Sequence, residues 1–375
     1  MRTLDSLQLG RGAAVLSVFV LHLLTLSVEY QHGYFAYSWT PVLRAGVDVF
    51  FVISGVVMVV TTYNKFGKTG TGKRFLIHRV SRIYPPYLIL TAVLTVFWFL
   101  RPSAVDSKTG VDLFSSFTLW PSVGRLPLVQ VAWSLSFEMM FYLVFFLLIV
   151  FMKRRWLPQA LLLWSVIVLA GSTAIALDSS GTLVTSFPRA NFFLSVYVLE
   201  FVAGCFIGFA LLKANLMFGR TSVAIATVLF VAEAAVFEAI KFDGNYHGGL
   251  RVLLFGVPAV LLIYGLLAWE QEAGSLHVPR WLIRCGDMSY SIYLVHTLVI
   301  HFAYRYSWRF VDHDWMRPLF LLSTSCMAVL TSIIFYRVVE KPSSAWTRAR
   351  LEGIFKIRAK AAVAPSPVVF ANSPE

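Results

Sequence analysis

Apolar residues come in long runs along this chain, and polar residues in short breaks between them. A helix that crosses a bilayer needs about 20 mostly apolar residues. Ten runs approach or reach that length: 9–28, 46–63, 84–100, 132–152, 157–177, 192–212, 222–240, 250–269, 288–304 and 318–339. The pattern predicts an all-α, polytopic membrane protein with about ten transmembrane helices. Residues 1–345 read as one transmembrane domain. Residues 346–375 turn basic and then Pro/Ala-rich, which predicts a mobile cytoplasmic tail. The first run ends in Ser27-Val28-Glu29-Tyr30. It has no small-residue cleavage pattern, so it reads as a retained helix rather than a signal peptide.

Composition strengthens this reading. The chain is 58% hydrophobic and 14% charged, against about a quarter charged in a soluble domain. Yet it carries a formal charge of +13, from 32 Lys+Arg against 19 Asp+Glu. With the N-terminus placed inside, the basic residues divide about two to one in favour of the inner segments, as the positive-inside rule requires. This predicts cytoplasmic termini and an even number of spans. Scattered over many short loops, these charges lack the continuous patch of a nucleic-acid site, so no nucleic-acid partner is expected. The three cysteines provide neither a disulfide framework nor a paired metal spacing, and no metal site is expected.

Ionisable groups at membrane depth are costly, so each is a functional candidate. Arg11 and His22 lie on the first helix, three turns plus about 20° apart, and so share one face about 16 Å from end to end. Asp48 sits near the start of the second helix. Ser134, Glu138 and Tyr142 form an i, i+4, i+8 stripe on the fourth, and Ser289, Tyr293 and His296 share a face on the ninth. Alternation of the spans puts His22, Asp48 and Glu138 at similar depth in the outer half. Each also fits a buried structural network or helix-packing role. Arg79 and Arg82, at i, i+3, project together just ahead of the third span, where paired guanidiniums suit phosphate. Lys65, Lys68, Lys73 and Arg74 in the same loop read as topology signals. Glu200, Glu233 and Glu238 have no basic partner at helical spacing.

Six motifs in order resemble the membrane acyltransferase-3 family over almost the whole chain. They are Gly10-Arg11-Gly12 with His22; Gly46-Val47-Asp48 through Ser54-Gly55; Arg79-Val80-Ser81-Arg82; Trp133-Ser134-Leu135-Ser136-Phe137-Glu138; Ser289 through His296; and Glu340-Lys341-Pro342. The resemblance is to short members without an appended esterase-like domain. It implies an integral O-acyltransferase of the bacterial inner membrane, with acyl-CoA (acetyl-CoA above all) as donor substrate and no bound cofactor. The implied acceptor is a surface or exported glycan such as exopolysaccharide, free or lipid-linked.

Membrane topology leads to the same division of labour. CoA is large, anionic and cytoplasmic, so Arg11, Arg79 and Arg82 are the expected stops for its phosphates. His22 is the expected general base on the acceptor hydroxyl, with Glu138 or Asp48 orienting it. Ser54 and Tyr293 are candidate oxyanion donors, and His296 is polar support. In the longest outer loop, Trp120 is available for sugar stacking or as a membrane anchor. A proton-coupled transporter is the alternative, since His, Glu and Asp at depth suit that role, but no internal repeat of the kind many transporters show is apparent.

Overall fold

The computed structural model describes residues 4–31, 37–100, 110–241, 249–311, 313 and 315–355. In chain order the helices are α1 (Asp5–Gln31), α2 (Ala45–Thr62), α3 (Thr71–Leu100), α4 (Leu113–Thr118), α5 (Ala132–Phe151) and α6 (Leu157–Leu177). Next come α7 (Thr182–Ser186), α8 (Ala190–Phe193), α9 (Tyr197–Lys213), α10 (Gly219–Ala239) and the short α11 (Gly249–Arg251). Then follow α12 (Val257–Ala273), α13 (Arg280–Asp287), α14 (Ser289–Ser307), α15 (Met316–Phe335) and α16 (Lys341–Ile354). The described residues contain no β-strand, only an isolated bridge between Val111 and Leu126.

Each of the ten expected spans falls largely on helix, the sixth being interrupted at 194–196 between α8 and α9. Among the described residues, nine helical segments are long and apolar enough to cross a membrane. The expected span 288–304 corresponds to α14, which is not among the nine. Its two histidines, Arg305 and several hydroxyl residues lower its hydropathy, and 13 of its residues are buried. It faces protein instead of lipid, so it does not need an apolar surface.

Two boundaries differ from expectation. The apolar run 84–100 is the later part of α3, which begins at Thr71 and runs through Pro85 and Pro86. The missing N–H groups free the carbonyls of Ser81 and Arg82 from the i→i−4 ladder without ending the helix. Arg79 and Arg82 therefore lie within a helix, not in a loop. At the other end, Pro342 occupies the first turn of α16, where a missing N–H costs nothing. Helix continues to Ile354, past the expected boundary at 345; the rest of the expected tail, 356–375, lies outside the described residues.

The helices form two compact units. Among the described residues, the first draws on 4–61 and 196–333, and the second on 62–195 and 334–355. In the first, a core of Val52, Ile53, Val56, Ile207, Ala259, Ile263 and Leu267 joins α2, α9 and α12. Glycine sets how closely α2 and α9 approach. A Cβ on Gly204 would lie 2.0 Å from the Val52 carbonyl oxygen, and one on Gly55 2.0 Å from that of Phe201. Small residues that bring backbones together are the usual device where lipid gives helices no hydrophobic reason to associate. The start of α1 is fixed by Glu270 of α12, whose carboxylate accepts the Asp5 and Ser6 N–H groups at 3.0 Å each. That satisfies two of the helix's orphan donors.

In the second unit, the segment after α3 is folded against that helix. The hydroxyls of Tyr84 and Tyr87 donate to the carbonyls of Thr118 and Ser116, each at 2.7 Å. Asp112 caps α4 by accepting the Ser115 N–H at 2.9 Å. That hydrogen bond holds the Asp112 carboxyl below its ordinary pKa.

Candidate functional site

In the first unit the structure brings together His22 of α1 and His296 of α14, which are 274 residues apart in sequence. The nitrogens His296 Nε2 and His22 Nδ1 are 3.0 Å apart, with the rings 5.0 Å between centroids. His296 is fully buried. Its Nδ1 lies 2.9 Å from the Ile292 carbonyl oxygen, one turn earlier on α14.

Hydrogen-bond logic fixes the protons. A carbonyl oxygen only accepts, so in the neutral ring His296 Nδ1 carries the hydrogen and its Nε2 is an acceptor. His22 Nδ1 must then carry a hydrogen too, shared between His296 Nε2 and the Val18 carbonyl at 3.0 Å. This leaves the lone pair of His22 on Nε2. No described residue hydrogen-bonds to that nitrogen. Such an arrangement can take a proton at Nε2 and stabilise the resulting imidazolium through Nδ1.

Asp48 occupies a different place from the one expected. Its carboxylate accepts from Arg251 Nη2 at 2.7 Å, and the atoms at Nδ1 of His22 are Val18 O and His296 Nε2. The Arg251 guanidinium is also stacked 4.9 Å over the Tyr197 ring and 5.1 Å over Phe255. Glu200, buried on α9, is in electrostatic reach of both Asp48 and Arg251. Glu200 has no basic partner at helical spacing along α9, and the fold supplies Arg251 from a different helix. The signal available in the sequence was an arginine at the start of the apolar segment 250–269; its partners, about 50 and 200 residues away, leave no periodicity to read.

The other candidates in this unit are dispersed. Tyr293 lies one turn before His296, with ring centroids 6.0 Å apart. Ser54 is half-buried on α2 beside the Gly55 crossing. Arg11 is half-buried near the start of α1, and its buried Nε has no hydrogen-bond partner among the described residues.

The second unit holds another constellation. The Tyr142 hydroxyl donates to Glu138 Oε1, joining two members of the predicted stripe on α5. The Arg79 guanidinium lies 5.5 Å over the Tyr142 ring and 5.6 Å from the centroid of Phe75. Arg82, one turn further along α3, is also in electrostatic reach of Tyr142. Tyr142 is ten residues into α5, about 15 Å from its start. Arg79 therefore lies beside the middle of that helix. Two guanidiniums on one helical face can hold a phosphate, and the tyrosine that steadies one of them is tied to Glu138.

Comparison with known proteins gives a consistent result. Residues 4–337 match a family described as "Acyltransferase domain", the acyltransferase-3 family. The exopolysaccharide production protein ExoZ of Rhizobium meliloti is 33% identical over 82% of this chain and 91% of its own length. The peptidoglycan O-acetyltransferase OatA of Listeria monocytogenes is 24% identical over 77% of this chain. The O-acetyltransferase OatA of Staphylococcus aureus is 24% identical over 91% of this chain. The matches span only 48% and 57% of those two longer relatives. No solved structure matches.

Proposed function

On the premise that the chain belongs to the acyltransferase-3 family and is a multi-pass membrane O-acyltransferase, we propose that it moves an acetyl group from cytoplasmic acyl-CoA to a hydroxyl of an exported glycan. Exopolysaccharide is the favoured acceptor, after the role named for ExoZ. The proposed location is the bacterial inner membrane, with both termini in the cytoplasm. The observation that carries the mechanism is the His22–His296 pair, because its geometry leaves a free base nitrogen on a residue that the sequence alone had singled out.

His22 Nε2 takes the proton of the acceptor hydroxyl as that oxygen attacks the thioester carbonyl. The new C–O bond forms, the C–S bond breaks, and the CoA thiolate takes the proton back from the imidazolium. Val18 O and His296 Nε2 steady the cation through Nδ1. Arg79 and Arg82 hold the CoA phosphates, and Arg11 adds a third positive charge for the same donor. Glu138, through Tyr142, positions the platform under Arg79. Asp48 positions α2 by holding Arg251. Tyr293 or Ser54 supplies the hydrogen bond to the carbonyl oxygen as it becomes anionic.

The test is the acyl mass on surface glycans from cells carrying His22→Ala at normal membrane level. The acyl group should disappear. Retention at wild-type level would refute the base role. For the donor site, Arg82→Ala should raise the acyl-CoA concentration needed for half-maximal rate about tenfold or more, with the acceptor dependence little changed.

A further inference from the structure

In the second unit, α3 packs against both α5 and α16, and its cations are divided between these two neighbours. Successive residues turn by about 100° around a helix. Measured from His78, Arg82 therefore lies about 40° round α3 and Arg79 about 100°. Arg79 is on the α5 side, where its guanidinium covers the Tyr142 ring. His78 is on the α16 side, where its Nε2 is 3.1 Å from Glu352 Oε1. Arg82 occupies the strip between.

α16 brings a cation of its own to this strip. Arg348 and Glu352 are i, i+4 on α16 and share one face. Glu352 is paired with His78, and Arg348, one turn earlier, is in electrostatic reach of the same histidine, as is Arg74. The carboxylate that could have neutralised Arg348 is thus engaged elsewhere. Arg348 is half-buried, and its buried Nε has no hydrogen-bond partner among the described residues. A guanidinium taken partly out of water without an anion is costly, and an orphaned buried donor calls for a cause.

The cause that fits is an anion with phosphates at two levels. A diphosphate alone would need only Arg79 and Arg82. A further phosphate nearer the start of α3 would reach Arg348, which sits at the level of His78, four residues or about 6 Å before Arg82 along the axis. Coenzyme A has this form: a diphosphate joins pantetheine to the ribose, and the ribose carries another phosphate on its 3′ oxygen. The thioester must extend inward, so the diphosphate falls at the deeper pair and the 3′-phosphate behind it.

We propose that Arg348 binds the 3′-phosphate of the acyl-CoA donor, and that α16, pinned to α3 by the His78–Glu352 pair, is the element that tells CoA thioesters from those of pantetheine carriers lacking this phosphate. The inference rests on the acyl-CoA reading above and adds a specificity-determining residue to it. α16 lies after the residues that match the family, 4–337.

The test is isothermal titration of the purified full-length protein with acetyl-CoA and with acetyl-3′-dephospho-CoA. The wild type should bind acetyl-CoA at least about tenfold more tightly than the dephospho form. Arg348→Gln should lower acetyl-CoA binding to the level of the dephospho form and leave the dephospho form unchanged, which also shows that the variant is folded. Arg348→Lys should restore part of the preference. Arg82→Gln, at the diphosphate, should weaken both forms. Arg350→Gln, about 200° round α16 from Arg348, should bind both as the wild type does. Equal binding of the two forms by the wild type, or equal loss of both in Arg348→Gln, would overturn the assignment and leave acyl-CoA as donor. Loss of the preference in Arg350→Gln as large as in Arg348→Gln would reduce the effect to net charge and overturn the site. Binding of neither form by the wild type would refute the donor reading, and this inference with it.

Discussion

Replacing His296 by Phe isolates the contribution of the histidine pair. The ring shape is largely kept in a fully buried position, but the acceptor 3.0 Å from His22 Nδ1 is lost. His22 keeps its Val18 carbonyl at 3.0 Å, so its tautomer is still favoured and Nε2 still holds the lone pair. What is lost is one hydrogen bond to a group that becomes charged in the transition state, worth about 1.5–3 kcal/mol. That corresponds to a fall in kcat of about 10- to 150-fold, smaller than the effect expected when the base itself is removed. The assay is CoA thiol release with purified, correctly inserted protein, read as kcat and as KM for acyl-CoA. KM should stay within about twofold, since no donor contact is altered. His296→Gln, whose amide oxygen can accept from Nδ1, should recover part of the rate. The double variant with His22→Ala should be no slower than His22→Ala alone, because residues acting as a unit are not additive. An unchanged kcat in His296→Phe, or a loss confined to KM, would refute the reasoning.

The remaining predictions concern the scaffold. Asp48→Ala removes the buried carboxylate that accepts from Arg251 Nη2 at 2.7 Å and should cost about 1.5–3 kcal/mol, with Glu200 still in electrostatic reach of the arginine; an unchanged thermal midpoint would disprove the pairing. Gly204→Ala puts a Cβ where the Val52 carbonyl oxygen stands, so α2 and α9 must part at a cost of about 1–3 kcal/mol or more; an unchanged midpoint would show that the crossing is looser than described. Asp112→Ala should destabilise α4 by about 1 kcal/mol, read as faster amide exchange over Leu113–Thr118. Because the folded Asp112 carboxyl is held below its ordinary pKa, its contribution is full above the unfolded value and fades as pH falls through the folded one. The difference between variant and wild type should therefore shrink in strong acid, and a constant difference would exclude the ionised cap.

Helical periodicity exposed much of this protein in advance. The ten helical runs, the Ser134–Glu138–Tyr142 stripe and the Ser289–Tyr293–His296 face all follow from spacing along one helix. Spacing is silent about which faces meet. The partnership of His22 with His296, and of Asp48 with Arg251, depends on packing between helices separated by hundreds of residues. α3 begins ahead of its apolar run because 71–83 is a mixed polar and apolar stretch, which a helix can extend through and a search for apolar runs passes over.

The hydrogen-bond chain through the histidines has a direction and an end. It starts at His22 Nε2, crosses to His296 and stops at the Ile292 carbonyl oxygen, which cannot pass a proton onward. The pair is a cul-de-sac rather than a wire. A proton that enters at Nε2 must leave by the same atom. That geometry suits a catalyst that borrows a proton from one substrate and returns it to another within a single encounter, and it provides no route for carrying protons through the pair from one face of the membrane to the other.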